Sequence, residues 1–192
     1  MPELLERVDL LAQLEAARAE GGRLIFVGGE AGVGKTSLVR KFAERVSERV
    51  LHGSCENLTT PTPLGPFLDV AAETGSLLAE RIAEGGEPRR VVVALLEELQ
   101  QPSVLVLEDV HWADQATLDV LRLLGRRIDT TPSFVIATYR DDEVEGEHPL
   151  RTVLGELTSA SSVTRASVPR LSLTAVAAQM GLLEALHGFR DP

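Results

Sequence analysis

Residues 29–36 combine three glycines with a lysine and a threonine in the sequence GEAGVGKT. This segment fits the pattern G-x-x-x-x-G-K-[ST]. The glycines allow turn conformations that other residues avoid, so that several backbone N–H groups can converge on one anion at the start of a helix. Lys35 is expected to reach the β- and γ-phosphates of a nucleoside triphosphate, and the Thr36 hydroxyl is expected to bind Mg²⁺. The residues predicted to bind the nucleotide are Gly29, Ala31, Gly32, Val33, Gly34, Lys35, Thr36 and Ser37.

Two acidic residues follow an apolar run farther along the chain. Residues 104–107 are all apolar, and Glu108 and Asp109 come directly after them. A carboxylate at the carboxyl end of a buried strand lies where sheets of this kind bind ligands. One acid is expected to hold Mg²⁺, and the other to orient and deprotonate the attacking water. Because neighbouring side chains leave a strand on opposite faces, the pattern leaves the two assignments open.

Arg140 follows a third apolar run, at residues 134–137. Its guanidinium could approach the γ-phosphate and sense its presence. Three acidic residues, at positions 141–143, come directly after it, so a surface ion pair is the other interpretation. The residues alone leave both open.

The elements around these residues predict an α/β fold with one main domain. The apolar runs 24–27, 104–107 and 134–137 lack alternation, which indicates parallel strands covered by helices on both faces. Weaker strands are expected near 50–52 and 163–168. Apolar residues recur at helical spacing from 38 to 46, directly after the glycine-rich loop.

Further helices are predicted at 4–19, at 67–84 with a break near Gly75, and at 89–100 behind Pro88. Leucines at 118, 121 and 124, together with Ile128, predict a crossover helix between two strands. We expect residues 1–170 to form the core and residues 171–192 to begin a helical lid.

Composition excludes several classes of function. The net charge of −10 argues against a nucleic-acid surface on this segment, since such surfaces need clustered Lys and Arg. The single cysteine, Cys55, fits a reducing compartment, where it would be a small buried hydrophobe. No stretch suggests a secretory signal or a membrane span, so a cytoplasmic location is predicted.

Three segments together resemble a known class of ATPases: GGEAGVGKTSLV, VLVLEDVHWADQATLDVL and VIATYRDDE. They are similar to the STAND class of signal-transducing P-loop ATPases, which is related to AAA-type ATPases, and most of all to the ATPase module of large LuxR-type transcriptional regulators of the MalT kind. The resemblance implies a P-loop NTPase with a parallel five-stranded sheet in the order 5-1-4-3-2. It also implies that Glu108 is the metal-side carboxylate, Asp109 the base and Arg140 the sensor arginine.

The sequence departs from this family pattern in places. Arg7 matches an arginine that lies near the nucleotide base in the family, but its neighbours here are Glu6 and Val8, so no role is assigned to it. Within VHWAD, Trp112 is expected to pack, and His111 alone makes no metal site. Family members continue into a full lid, sensor repeats and an effector domain. With only residues 171–192 after the core, the chain is expected to be a fragment, an isolated domain or a truncated relative.

The leading hypothesis is an ATP-binding switch module with slow, Mg²⁺-dependent hydrolysis. Its nucleotide state would control association with effector or sensor domains outside this chain, and self-association. The alternative is an interaction module that binds ATP or ADP without turnover. A small-molecule kinase would need an acceptor site and an arginine-bearing lid, and no stretch indicates either. ATP is favoured over GTP because the chain lacks the Asn/Thr-Lys-x-Asp motif that typically reads guanine.

Overall fold

A computed structural model describes residues 7–75 and 77–172. Its centre is one sheet of five strands in the spatial order β2-β3-β4-β1-β5, and every neighbouring pair is parallel. The strands are β1 (Arg23–Gly28), β2 (Arg49–Ser54), β3 (Ser103–Glu108), β4 (Phe134–Thr138) and β5 (Val163–Ser167). This order is 5-1-4-3-2 read from the other edge, so the predicted P-loop NTPase sheet is confirmed.

Helices connect the strands and cover the sheet. They are α1 (Val8–Glu20), α2 (Lys35–Ala43), α3 (Gly65–Thr74), α4 (Leu77–Ala83), α5 (Pro88–Glu98), α6 (Gln115–Gly125) and α7 (Pro149–Glu156). The predicted break near Gly75 is present, because this residue ends α3 in a left-handed conformation at φ 59°. Ile128 lies in a separate 3-10 turn beyond the end of α6, so the crossover helix is shorter than its apolar pattern.

Some predictions lie outside the described residues. These are the first residues of the predicted helix 4–19 and nearly all of the predicted lid at 171–192. The sequence pattern did not indicate α7. Within the part of the chain that the structure describes, no helix has both the length and the apolar character needed to cross a bilayer.

The sheet separates two apolar layers. On one face, Ile25 and Val27 of β1 pack with side chains of α1 and α2. On the other face, Leu24 and Phe26 belong to a larger cluster with side chains of α3 to α7. Because both faces of the central strands are buried, their sequences show no polar alternation. The sheet therefore holds the carboxyl ends of β1, β3 and β4 rigidly at one edge, where the predicted chemical residues lie.

Candidate nucleotide-binding site

The glycine-rich loop connects the end of β1 at Gly28 to the start of α2 at Lys35. Gly32 has φ 74° and Gly34 has φ 95°, a region that side-chain-bearing residues rarely adopt. A Cβ atom built at either position would have no neighbour within 4 Å. Backbone conformation, not crowding, therefore requires glycine here. The open face at the start of α2 fits a phosphate chain, which needs close approach to backbone N–H groups.

Lys35 places its ammonium group inside this loop. The residue is 7% exposed, and its Nζ donates to the carbonyl oxygens of Gly29 at 2.6 Å and Glu30 at 2.9 Å. Burial lowers the pKa of Lys35, the charge of Asp109 opposes this, and the charge of Arg140 lowers it again. The three predicted catalytic residues come from separate elements. The charges of two of them, Asp109 and Arg140, both act on the ammonium group of the third, Lys35.

Thr36 and Ser37 are exposed in the first turn of α2. Glu108, the last residue of β3, continues the alternation of Val104 and Val106, whose side chains pack in the cluster that contains α2. Glu108 therefore lies on the sheet face that carries α2 and Thr36. This geometry favours Glu108, over Asp109, as the metal-side carboxylate.

The donor chemistry of Thr36 and Glu108 fits Mg²⁺. In nucleotide sites this ion takes one or two protein oxygens and completes its shell with phosphate oxygens and waters. Among residues 7–75 and 77–172, no group of three or more His, Cys, Asp and Glu side chains could hold a metal ion.

Asp109 leaves β3 in a left-handed conformation, with φ 54° and ψ 42°. Its N–H donates to Thr138 Oγ1 at 3.1 Å, which joins the ends of β3 and β4. The Asp109 side chain remains 33% exposed. Aspartate is one of the few residue types that tolerate this conformation. The turn breaks the strand alternation and directs the second carboxylate away from the core, where a water molecule can reach it.

Arg140 forms an ion pair with Glu143, as one of the two interpretations of its sequence predicted. Its Nη1 lies 2.5 Å from Glu143 Oε1, and its guanidinium carbon lies 4.7 Å from the centroid of the Trp112 ring. Trp112 Nε1 donates to the other oxygen of Glu143 at 3.0 Å. The sequence offered Glu143 only as one of three possible partners of Arg140, and the structure shows that this carboxylate also joins the turns after β3 and β4.

His111 is buried next to Glu143 and Asp109. Its side chain is fully buried, with Nε2 3.5 Å from Glu143 Oε2 and Nδ1 3.9 Å from Asp109 Oδ1. Neither ring nitrogen has a hydrogen-bond partner among the described residues. Burial lowers the pKa of His111 despite the two carboxylates, so the ring is neutral at pH 7. Trp112 packs against this ring at 4.5 Å between centroids, as its predicted packing role requires.

Arg7 contacts the loop from the opening segment of the chain. The residue is 2% exposed, and its Nη2 donates to the carbonyl oxygens of Val33 at 3.2 Å and Pro169 at 2.5 Å. Arg170 Nε donates to Glu30 in the same loop at 2.7 Å. The loop is thus tied to the segment that follows β5. No role for Arg7 was expected, although its match to a family arginine was the available signal.

Gly28 is a further residue that sequence reasoning missed. A Cβ atom at this position would lie 2.4 Å from Asp141 Oδ1 and 2.7 Å from the Tyr139 ring. Burial and the neighbouring Asp141 carboxylate raise the pKa of Tyr139 to about 12, so the phenol stays protonated. The absence of a side chain at Gly28 therefore lets the turn after β4 pack directly against the start of the loop.

Comparison with solved structures shows the same fold in proteins of low sequence identity. The Aeropyrum pernix ORC2 protein, solved as ADPNP–ADP complexes, matches with a TM-score of 0.63 and 15% identity over 96% of this chain and 53% of that one. Domain III of the Thermotoga maritima replication initiation protein DnaA matches with a TM-score of 0.57 and 16% identity, over 96% of this chain and 72% of that one. AMPPCP-bound DnaA from Aquifex aeolicus matches with a TM-score of 0.55 and 16% identity, over 99% of this chain and 54% of that one.

These similarities show the fold alone, and the chain spans about half the length of the Aeropyrum pernix protein. A search of curated proteins finds no match. The model of the AAA ATPase domain family matches residues 5–136, a range that contains the glycine-rich loop and both acids after β3. The chain therefore belongs to the AAA ATPase domain family, whose modules bind nucleotide.

Proposed function

We propose that this chain is an ATP-binding switch module that hydrolyses ATP slowly in the presence of Mg²⁺. The observation that carries the proposal is the position of Lys35, whose buried ammonium group lies inside the glycine-rich loop and within electrostatic range of Asp109 and Arg140. Separate strands thus direct a phosphate-binding cation, a candidate base and a candidate sensor to one edge of the sheet. The cation serves triphosphate binding, and the base and the sensor accelerate hydrolysis.

Each side chain has a distinct role in this proposal. Lys35 and the loop N–H groups bind the β- and γ-phosphates, and Arg140 adds positive charge where negative charge develops in the transition state. Asp109 accepts the proton of the attacking water. Thr36 and Glu108 would hold Mg²⁺, which when bound neutralises phosphate charge and orients the γ-phosphoryl group.

The wider role follows from the resemblance to the STAND class and to LuxR-type regulators. In this proposal the nucleotide state controls effector or sensor domains outside this chain, and self-association of the module. The core of residues 1–170 leads into the start of a lid at 171–192, and the module itself binds no nucleic acid. The net charge of −10 supports the proposal that the module binds no nucleic acid. The contacts of Arg7 and Arg170 support the connection between core and lid, because they join the loop to the segment before the predicted lid.

The alternative is a module that binds ATP or ADP without turnover. The ion pair between Arg140 and Glu143 favours it, because the guanidinium of the candidate sensor is already engaged. Phosphate release with Mg²⁺ and ATP, measured on the wild type and Asp109→Asn, separates the two. A hydrolysing module loses about a hundredfold or more of its rate in the variant. Equal background rates in the two proteins, with ATP binding intact, would overturn hydrolysis in favour of the alternative.

A further inference from the structure

Glu143 joins the two turns that carry the candidate base and the candidate sensor. Its Oε1 accepts from Arg140 at 2.5 Å, and its Oε2 accepts from Trp112 Nε1 at 3.0 Å. His111 Nε2 lies 3.5 Å from that second oxygen. Both oxygens of this carboxylate are therefore engaged with named side chains. Glu143 has no part in the mechanism described above.

The same contacts fix the position of Arg140. Its guanidinium lies against the Trp112 ring, 4.7 Å from the centroid, while Nη1 is paired with Glu143. The cation–π contact with the ring and the charge-assisted hydrogen bond to the carboxylate both stabilise the guanidinium in this position. A γ-phosphate that takes the hydrogen of this Nη1 bond, or that draws the guanidinium towards itself, loosens the pair with Glu143. A terminal phosphate and the Glu143 carboxylate are both anions that attract the same cation.

We propose that Glu143 is a positioning residue that competes with the γ-phosphate for Arg140 and thereby sets how strongly the site prefers ATP to ADP. This inference rests on the proposed nucleotide-binding function. ADP has no γ-phosphate, so Arg140 stays on Glu143 and Trp112 when ADP is bound. With ATP, the guanidinium moves to the phosphate, and part of the binding free energy is spent on breaking the pair. The carboxylate thus weakens ATP binding selectively.

Trp112 provides a direct measurement, because it is the single tryptophan of the chain. Its ring lies against Arg140, and its N–H donates to Glu143, so movement of Arg140 changes the surroundings of the indole. The non-hydrolysable analogue ADPNP with Mg²⁺ is expected to change Trp112 fluorescence in the wild-type protein, and ADP with Mg²⁺ is expected to change it much less. Equal changes with ADPNP and ADP would overturn the proposal.

Affinity measurements test the competition itself. Glu143→Gln keeps an acceptor for Trp112 but removes the charge that attracts Arg140. The ratio of the ADP and ADPNP dissociation constants is expected to rise by about two- to fivefold, the range for breaking a partly exposed ion pair. The matched control is Glu84→Gln, which removes the same kind of i,i+3 ion pair, with Arg81 at the end of α4, and should leave the ratio unchanged.

A double-mutant cycle separates this role from a merely structural one. In an Arg140→Ala background, adding Glu143→Gln should not change the ratio of the ADP and ADPNP dissociation constants, since the cation for which the two anions compete is gone. An unchanged or lower ratio in Glu143→Gln, with ADPNP still bound, overturns the inference but not the proposed function. Absence of ADPNP and ADP binding in the wild type overturns both.

Discussion

At the scale of single residues, three residues of the site have a backbone conformation or a burial that is energetically unfavourable. Asp109 occupies a left-handed conformation, Lys35 is buried, and His111 is buried without a hydrogen-bond partner among the described residues. Unfavourable backbone and burial of this kind persist only where the surroundings impose them, and they concentrate at functional sites. All three residues lie at the edge where β1 and β3 end.

His111 makes the folded protein sensitive to acid. Burial lowers its pKa in the folded state, whereas the unfolded chain takes up the proton at about pH 6.5. Just below that pH the unfolded state therefore binds more protons, and the free energy of unfolding falls as pH falls towards the folded-state pKa. The groups that face the ring are Asp109, Glu143, Arg140 and Lys35.

We predict that His111→Phe loses less stability than the wild type between pH 7.5 and pH 5.5. Phenylalanine retains the aromatic packing against Trp112 but has no proton to gain. Urea unfolding of both proteins at the two pH values gives the comparison. An equal loss in the two proteins would show that His111 does not titrate differently in the folded state.

Cys55 is predicted to be unreactive in the folded protein. It is 7% exposed, and burial, together with the charges of Asp114, Asp109 and Asp69, raises its pKa to about 12. The thiolate is the reactive form, so almost none is present at pH 8. Iodoacetamide should label the chain only after urea unfolding. Rapid labelling of the native protein at this single cysteine would contradict the burial.

At the scale of elements, packing between backbones sets the tolerance of the fold. Gly53 in β2 faces the first turn of α3, where a Cβ atom would lie 2.2 Å from the Pro66 carbonyl oxygen. That oxygen belongs to the backbone and cannot move aside alone. We predict that Gly53→Ala lowers the free energy of unfolding by about 1–3 kcal/mol, the range for overpacking.

The matched control is Gly155→Ala in α7, where an added Cβ meets nothing within 4 Å. Alanine is the better helix former, so this change is expected to be neutral or to stabilise by up to about 1 kcal/mol. Urea denaturation measures both variants. Similar losses from the two substitutions would mean that crowding at Pro66 is not the cause.

The sequence predicted elements well where one local signal determines them. The three central strands, β1, β3 and β4, follow from their continuous apolar runs, because both sheet faces are covered there, and the glycine-rich loop follows from its fixed spacing. The role of Glu143, the tight packing at Gly28 and the contacts of Arg7 depend on residues distant in the chain or on turn geometry. Ile128 continued an apolar spacing beyond the end of its helix, since its burial comes from a separate turn.

The two acids after β3 show the same limit. Their position after an apolar run was visible in the sequence, but the sheet face on which each side chain lies was not. The structure separates them because Glu108 follows the strand alternation to the face of α2, while Asp109 turns out of the strand. Aspartate tolerates the left-handed conformation but adopts it rarely, so its presence at position 109 did not indicate the turn.

At the scale of the whole molecule, the sheet order places β4 between β1 and β3. The loop after β1 and the acids after β3 therefore lie on either side of the turn that carries Arg140. The turn after β4 therefore connects the two parts of the candidate site across the sheet edge.

Binding of a triphosphate by the glycine-rich loop is tested by a calorimetric titration of the wild type, Lys35→Ala and Lys41→Ala with ATP and Mg²⁺. These are the two lysines of the chain, and Lys41 pairs with Glu44 on the exposed side of the same helix. Loss of one charge-assisted contact of about 1.5–3 kcal/mol weakens binding by roughly ten- to a hundredfold. We predict this loss for Lys35→Ala and wild-type affinity for Lys41→Ala. Equal affinities in all three proteins would contradict it.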